Sequence, residues 1–171
     1  MLTKDQLNRL NEHVTEEASA SRFYLAISCW AISEGLDGVG QFFRNHHENE
    51  EEHMHKLMGY ILETGGKVLV GKIDAQPQEF ESISKALELS LEREQEVSRM
   101  INDTADMFLS QKDYSTYNFL QWYVAEQHEE EHLFRTLIDK AKMIGEDGRG
   151  KFWIDKELAK AAASTVVTHS K

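Results

Sequence analysis

Apolar and small residues recur every three or four positions through four long stretches of the chain, which is the period of one face of an α-helix. The stretches cover about residues 3–35, 39–65, 80–108 and 119–141. Thr3 and Gln6 have the spacing of a capping box at the start of the first stretch, and Gly65 is a typical helix stop at the end of the second. The pattern therefore predicts four long helices.

The connections between these stretches predict how the helices are arranged. Residues 65–78 include Pro77 and show no helical period, and the segment is longer than a usual connection in a helix bundle. Because such a crossover returns the chain to its starting end, the second and third helices should run parallel. The glycine-rich stretch 145–151 breaks the pattern, and an alanine-rich segment over about residues 152–167 predicts a fifth helix. The predicted fold class is all-α: a four-helix bundle with a long crossover and a short C-terminal helix, in a single domain over 1–171.

Composition narrows the range of partners. The 171 residues include 30 acidic and 19 basic side chains, for a net charge of -11, which argues against nucleic acid or an anionic membrane surface and favours cations. The N-terminus lacks the apolar core of a signal peptide, and no run of about 18 apolar residues is present, so we expect a soluble, cytoplasmic protein. Cys29 is the only cysteine, so a disulfide or a cysteine-built metal site within one chain is excluded and a packing role is expected.

Acidic side chains interrupt each apolar stripe where the helical period calls for a core residue. The inward positions are Glu17 in the first helix, Glu50 and His53 in the second, Glu94 in the third, and Glu126 and Glu130 in the fourth, with Gln127 beside them. At about 1.5 Å per residue, each helix carries its carboxylate roughly 20 Å from its start. These groups should therefore meet at one height in the bundle.

A cluster of inward carboxylates indicates bound cations. A buried carboxylate without a partner costs several kcal/mol, against about 5–15 kcal/mol of stability for a whole domain. Carboxylates with one imidazole and no thiolate suit iron or manganese, of which we favour iron. The alternative is that these residues lie at the edges of the stripes, where water or Lys and Arg partners would solvate them.

The histidines near these carboxylates are not equivalent. Glu129 and His132 form the only E-x-x-H frame of the fourth helix, but His132 lies on the polar outer stripe and should be exposed. His53 is then the single histidine ligand. The pattern does not decide whether His46 and His47 are hydrogen-bond partners of the site or residues of the helix surface. For His47 the helix surface is favoured.

The stretch NFLQWYVAEQHEEE at 118–131, with the spacing of Glu17 and Tyr24, closely resembles bacterial non-haem ferritins, and the resemblance extends along nearly the whole chain. It implies a ferritin-like bundle that stores iron and has ferroxidase activity, oxidising Fe(II) to Fe(III) with O2 or H2O2 at a di-iron centre inside the subunit. It also implies a hollow homo-oligomeric cage, a 24-mer, that holds a ferric mineral.

The resemblance further implies roles for individual residues. Two iron positions are implied, one held by the residues matching Glu17, Glu50 and His53 and the other by those matching Glu50, Glu94 and Glu130, with Glu50 as the bridge. Gln127 and Tyr24 match residues beside the iron pair. A tyrosine on a core stripe is, by itself, more often only a packing residue.

The family also has a third iron position and a haem-binding relative. Residues matching positions 49, 126, 129 and 130 hold the third iron. Here Asn49 stands where a glutamate is expected, while Glu126, Glu129 and Glu130 are present, so we expect a weaker third site. Bacterioferritins bind haem through a methionine where this chain has Glu51, so we expect no haem.

Two other functions stay open at this point. A monomeric or dimeric di-iron oxidase or peroxidase would keep its metals permanently, and a second inward histidine, which the pattern lacks, would favour it. An acidic helical bundle that binds a partner and no metal predicts that Glu50→Ala leaves iron oxidation unchanged. Iron retention and the effect of substituting Glu50 separate these functions from iron storage.

Overall fold

Five helices account for most of the computed structural model, which describes residues 2–168 and the side chains of residues 2–164. The helices are α1 Lys4–Ser33, α2 Asp37–Glu63, α3 Ile83–Ser110, α4 Tyr114–Ile144 and α5 Gly148–Thr168. This architecture confirms the all-α prediction of four long helices and a shorter fifth. Among the described helices, none has the length and apolar character needed to cross a membrane.

Three of the long helices begin at side chains that satisfy free backbone N–H groups. The Thr3 hydroxyl accepts a hydrogen bond from the backbone N–H of Gln6 at 3.3 Å, and the Gln6 side chain accepts one from the N–H of Thr3 at 2.8 Å. This pair is the predicted capping box. Ser82 caps α3 and Asp113 caps α4 through their side chains. A cap of this kind stabilises a helix end by about 1 kcal/mol.

The connection between α2 and α3 runs along α1 from one end of the bundle to the other. Near the start of α1, the side-chain oxygen of Asn11 accepts a hydrogen bond from the N–H of Leu69 at 2.7 Å. Near its end, the ring of Trp30 packs against Phe80, with 5.3 Å between the ring centroids. Since α2 also begins beside the end of α1, α2 and α3 run parallel, and the predicted crossover is confirmed.

The core of the bundle consists of two apolar clusters separated by a polar layer. One cluster contains Tyr24, Phe42, Phe43 and Phe134 among its largest side chains. The other contains Leu10, Leu57, Phe108 and Tyr123. In each long helix, the inward carboxylate lies between the segment that enters one cluster and the segment that enters the other. The carboxylates therefore share one height, as the sequence predicted.

Helix α5 begins at Gly148, earlier than the predicted start near residue 152. The Asp147 carboxylate accepts hydrogen bonds from the backbone N–H groups of Arg149 at 3.1 Å and Gly150 at 2.7 Å, so the glycine-rich stretch forms the first turn of the helix. Further along α5, the Asp155 carboxylate accepts a hydrogen bond from the N–H of Val39 at 2.9 Å. This contact joins α5 to the start of α2.

The packing role predicted for Cys29 is wrong, because this side chain is exposed. The core stripe of α1 passes through its neighbours Ser28 and Ala31, which are both buried. Cys29 is rotated by about 100° from Ser28 around the helix, which turns it away from the bundle.

Replacing Gly38 by alanine should loosen the contact between α2 and α5. A Cβ at Gly38 would lie 2.1 Å from the backbone oxygen of Asp155, so α5 would have to move, and we expect a loss of about 1–3 kcal/mol. Gly59, in the same helix, has open space around its Cβ position, so Gly59→Ala should stabilise by about 0.5–1 kcal/mol. Thermal unfolding of both variants checks the prediction, and equal melting temperatures would contradict it.

Candidate metal centre

The polar layer brings together side chains from all four long helices. Glu17, Glu50, His53, Glu94 and Gln127 are buried, each with at most 6% of its surface exposed. Glu130 is more open, with 13% of its side chain exposed. Water therefore supplies little of the solvation that these charges need, and other groups must supply it.

One half of the layer is a compact group of three potential metal ligands, Glu17, Glu50 and His53. One ligand atom from each lies within 4.8 Å of the other two. Nδ1 of His53 is 3.1 Å from Oε2 of Glu50 and 3.9 Å from Oε2 of Glu17. Two carboxylate oxygens and one imidazole nitrogen facing a common point match the ligand chemistry of iron, manganese or zinc.

The other half of the layer is held by hydrogen bonds around Glu94 and Glu130. The Tyr24 hydroxyl donates to Oε1 of Glu94, and the Gln127 amide donates to Oε2 of Glu94 at 2.7 Å. Oε2 of Glu130 lies 3.2 Å from Nε2 of His46. Glu94 and Glu130 thus flank the compact group but are not part of it among the described side chains.

The electrostatics of the layer favour a bound cation. Burial raises the pKa of Glu50 to about 8, against the opposing effect of its contact with His53. Burial, reinforced by repulsion from Glu50 and Glu130, raises the pKa of Glu94 to about 8. Burial opposes the charged form of His53, but its hydrogen bond and attraction to Glu50 outweigh it and raise the pKa of His53 to about 10. Without a counterion, burial disfavours the charged forms of Glu50 and Glu94, and a bound cation would compete with protons for these carboxylates.

Sequence reasoning missed His13, which belongs to the same layer. His13 is fully buried, and its Nε2 lies 2.7 Å from Oε1 of Glu17. Burial, with repulsion from His53, lowers the pKa of His13 to about 4. The signal was available, because His13 and Glu17 are four residues apart on the stripe that also carries Leu10 and Val14.

The structure settles where His46 and His47 lie. His46 is buried, its Nδ1 donates to the backbone oxygen of Phe42 at 3.0 Å, and its other nitrogen faces Glu130. Burial acts against its charge, but attraction to Glu130 outweighs burial and raises the pKa of His46 to about 9. His47 is half-buried, with Nδ1 2.7 Å from the hydroxyl of Ser21. Its described hydrogen bonds go to Ser21 of α1 and not to the carboxylates of the layer, so His47 is a half-buried residue of the helix surface rather than a partner of the site.

The residues matched to the third iron position lie toward the outside of the layer. Glu129 is exposed, and Asn49 and Glu126 are half-buried. Glu126 is thus less buried than its place on the predicted core stripe suggested, because Tyr123 and Gln127 take the core-facing positions of that turn. His132 is exposed, as predicted from its outer stripe.

The chain matches the ferritin-like domain family over residues 7–144. It belongs to the ferritin family. The matched region ends with α4, so it contains every candidate ligand of this ferritin and leaves α5 outside.

Known relatives and solved structures agree with this assignment. The chain is similar to the bacterial non-heme ferritin of Campylobacter jejuni, with 42% identity over 96% of this chain and 98% of the relative. It is also similar to the Chlorobium tepidum ferritin structure, with 46% identity, a TM-score of 0.82, and coverage of 94% of this chain and 98% of that one. An open-pore ferritin from Archaeoglobus fulgidus gives 34% identity, a TM-score of 0.90, and coverage of 93% and 98%. Membership of this family supports a general role in iron storage and oxidation.

Proposed function

We propose that this ferritin stores iron by oxidising Fe(II) at a di-iron ferroxidase centre within each subunit. The observation that carries the proposal is the compact group of Glu17, Glu50 and His53, flanked by the buried Glu94 of α3 and by Glu130 of α4. Iron is the substrate and the cargo of this centre. Each Fe(II) gives up one electron, and O2 or H2O2 takes up the two electrons from a pair of ions.

The proposed ligands divide between two iron positions. Glu17 and His53 hold the first ion, Glu94 and Glu130 hold the second, and Glu50 bridges them. The Gln127 amide and the Tyr24 hydroxyl orient Glu94, since both donate hydrogen bonds to its carboxylate. Each oxygen of Glu94 keeps a second lone pair, so the carboxylate can accept these hydrogen bonds and bind the second ion at the same time.

The charge of the site explains why oxidation is favourable there. Clustered carboxylates in a buried layer stabilise Fe(III) more than Fe(II), because the attraction grows with the charge of the ion and water does not screen it. A ligand set with a single imidazole also holds the product loosely enough for it to leave. Release toward a mineral store is as necessary to this function as binding.

The remaining parts of the proposal concern the third iron and the assembly. Asn49, Glu126, Glu129 and Glu130 form a weaker third position, because an amide brings no negative charge where a glutamate would. The chain acts as one ferritin-like di-iron domain in a cytoplasmic homo-oligomeric 24-mer, without haem, nucleic acid or a membrane as partner. A ferric mineral fills the cage.

Iron loading tests storage directly. Purified metal-free protein is given Fe(II) in air in excess, and the iron that co-elutes with each chain is counted by gel filtration. We expect far more than three ions per chain on a particle of several hundred kilodaltons, because a cage stores its product beyond its binding sites. About two ions per chain on a small particle would instead identify a di-iron oxidase that keeps its metals.

A further inference from the structure

His13 contacts a proposed iron ligand without belonging to the proposed ligand set. Its Nε2 lies 2.7 Å from Oε1 of Glu17, whereas the other oxygen, Oε2, is the one that faces His53 at 3.9 Å. The two oxygens of Glu17 therefore face in different directions: one toward a histidine of its own helix and one toward the compact ligand group.

The surroundings of His13 define how this contact works. A metal-bound carboxylate can only accept a hydrogen bond, so Nε2 of His13 must carry a hydrogen and donate a hydrogen bond to Oε1 of Glu17. Nδ1 of His13 is buried and has no hydrogen-bond partner among the described atoms, and the ring lies edge-on to Tyr123 with 5.0 Å between centroids. The contact with Glu17 is thus the one hydrogen bond that the structure gives this imidazole.

We propose that His13 is a positioning residue for the first iron site, holding Oε1 of Glu17 so that Oε2 alone is presented to the metal. This inference rests on the proposed function, since it takes Glu17 to be an iron ligand. Groups that hydrogen-bond to metal ligands fix the orientation of those ligands and tune how tightly the metal is held. A donor at Oε1 favours the orientation of Glu17 in which Oε2 faces the metal, and disfavours one in which both oxygens turn to the same ion.

Two substitutions of similar size separate the hydrogen bond from the packing of His13. Glutamine can donate an N–H to Glu17, whereas methionine fills a similar volume without a donor. Cobalt(II) is a suitable probe, because it is not oxidised under these conditions and its visible absorption depends on its ligands. Each metal-free variant, as the full assembled protein, is titrated with Co(II) while the absorption is recorded.

We expect His13→Met to weaken the first Co(II) site by about 10–100-fold and to change its visible bands, because Glu17 is no longer oriented. His13→Gln should remain within about threefold of the natural protein and keep its spectrum, because the donor is restored. The second Co(II) site should be unchanged in both variants, since the described hydrogen bond of His13 goes to Glu17, which belongs only to the first site. His13→Leu provides a second donor-free variant if His13→Met does not fold.

Three results would overturn the inference. If the donor-free variants bound Co(II) with the same affinity and the same visible spectrum as the natural protein, the hydrogen bond would not position Glu17. Loss of a nitrogen ligand from the spectrum of both His13→Met and His13→Gln would show that His13 binds the metal itself. Equal weakening of both sites would show a general structural role. If the natural protein bound no Co(II) and oxidised no iron, the proposed function itself would fail, which is a different outcome from each of these.

Discussion

Replacing Glu50 by glutamine is expected to lower the initial rate of Fe(II) oxidation by about 100-fold or more, since even groups that only support metal ligands are worth about 10–100-fold. One ligand atom of Glu50 lies within 4.8 Å of ligand atoms of both Glu17 and His53, and repulsion from Glu50 adds to the effect of burial in raising the pKa of Glu94. It is therefore the carboxylate placed to serve both iron positions. Glutamine has nearly the same shape as glutamate, but it lacks the negative charge with which Glu50 would bridge two cations.

The measurement is stopped-flow absorbance after mixing the metal-free protein with two Fe(II) per chain in aerated buffer. Glu52→Gln is the matched control, because it makes the same change of charge two residues away on the exposed face of α2. We expect the control to oxidise iron at the natural rate. Equal rates for Glu50→Gln and the control would favour an acidic bundle that uses no metal site.

The metal-free protein is expected to lose stability as the pH rises from about 7 to 9. Glu50 and Glu94 have their pKa raised to about 8, and the pKa values of His53 and His46 are raised to about 10 and 9. In this pH range the folded protein binds more protons than the unfolded chain, so raising the pH favours unfolding. His13, with its pKa lowered to about 4, acts in the opposite direction only below about pH 6.5.

Thermal unfolding in the presence of a chelator, at half-unit steps of pH, measures this effect. We expect the free energy of unfolding to fall by on the order of 1 kcal/mol or more per pH unit, because several groups contribute in the same direction. Zn(II), which has no redox chemistry, should remove most of the dependence by replacing the bound protons. A metal-free protein as stable at pH 9 as at pH 7 would contradict the prediction.

The Glu50→Gln variant tests whether the loss of stability at high pH comes from the metal centre. An amide does not titrate in this range, so the metal-free variant should lose less stability than the natural protein between pH 7 and 9. The variant should also gain less from Zn(II). One substitution would then lower metal affinity and flatten the pH profile, which a surface carboxylate such as Glu52 should not do.

Much of the fold could be predicted because helical periodicity determines which side chains share a face. The carboxylates Glu17, Glu50 and Glu94 interrupt strong apolar stripes, and each is buried in the structure. The crossover was predictable from its length and its lack of period. These features depend on the spacing of residues along one helix, which the sequence contains directly.

Two features that escaped prediction depend on contacts between particular side chains. His13 lies on the α1 stripe, but its role depends on the rotamer that brings Nε2 to Glu17, and spacing alone does not specify a rotamer. The start of α5 depends on Asp147 turning back to cap a glycine-rich turn. The exposure of Cys29 shows the limit of residue type as a guide, since cysteine is usually buried but here lies off the stripe.

The partial exposure of Glu130 means that access of ions to the centre need not depend on motion of the backbone. The centre lies at mid-length of four long helices, far from ends that fray, so the backbone amides around it should exchange with solvent only when the whole bundle opens. Glu130 nevertheless has 13% of its side chain exposed, while Glu17 and Glu94 are nearly sealed from solvent. In the proposed ferroxidase centre Glu130 is thus a more exposed ligand than Glu17 or Glu94, and we expect ions to enter and leave past it while the helices stay in place. Fast exchange of iron ions is therefore compatible with slow hydrogen exchange of the backbone amides around the centre.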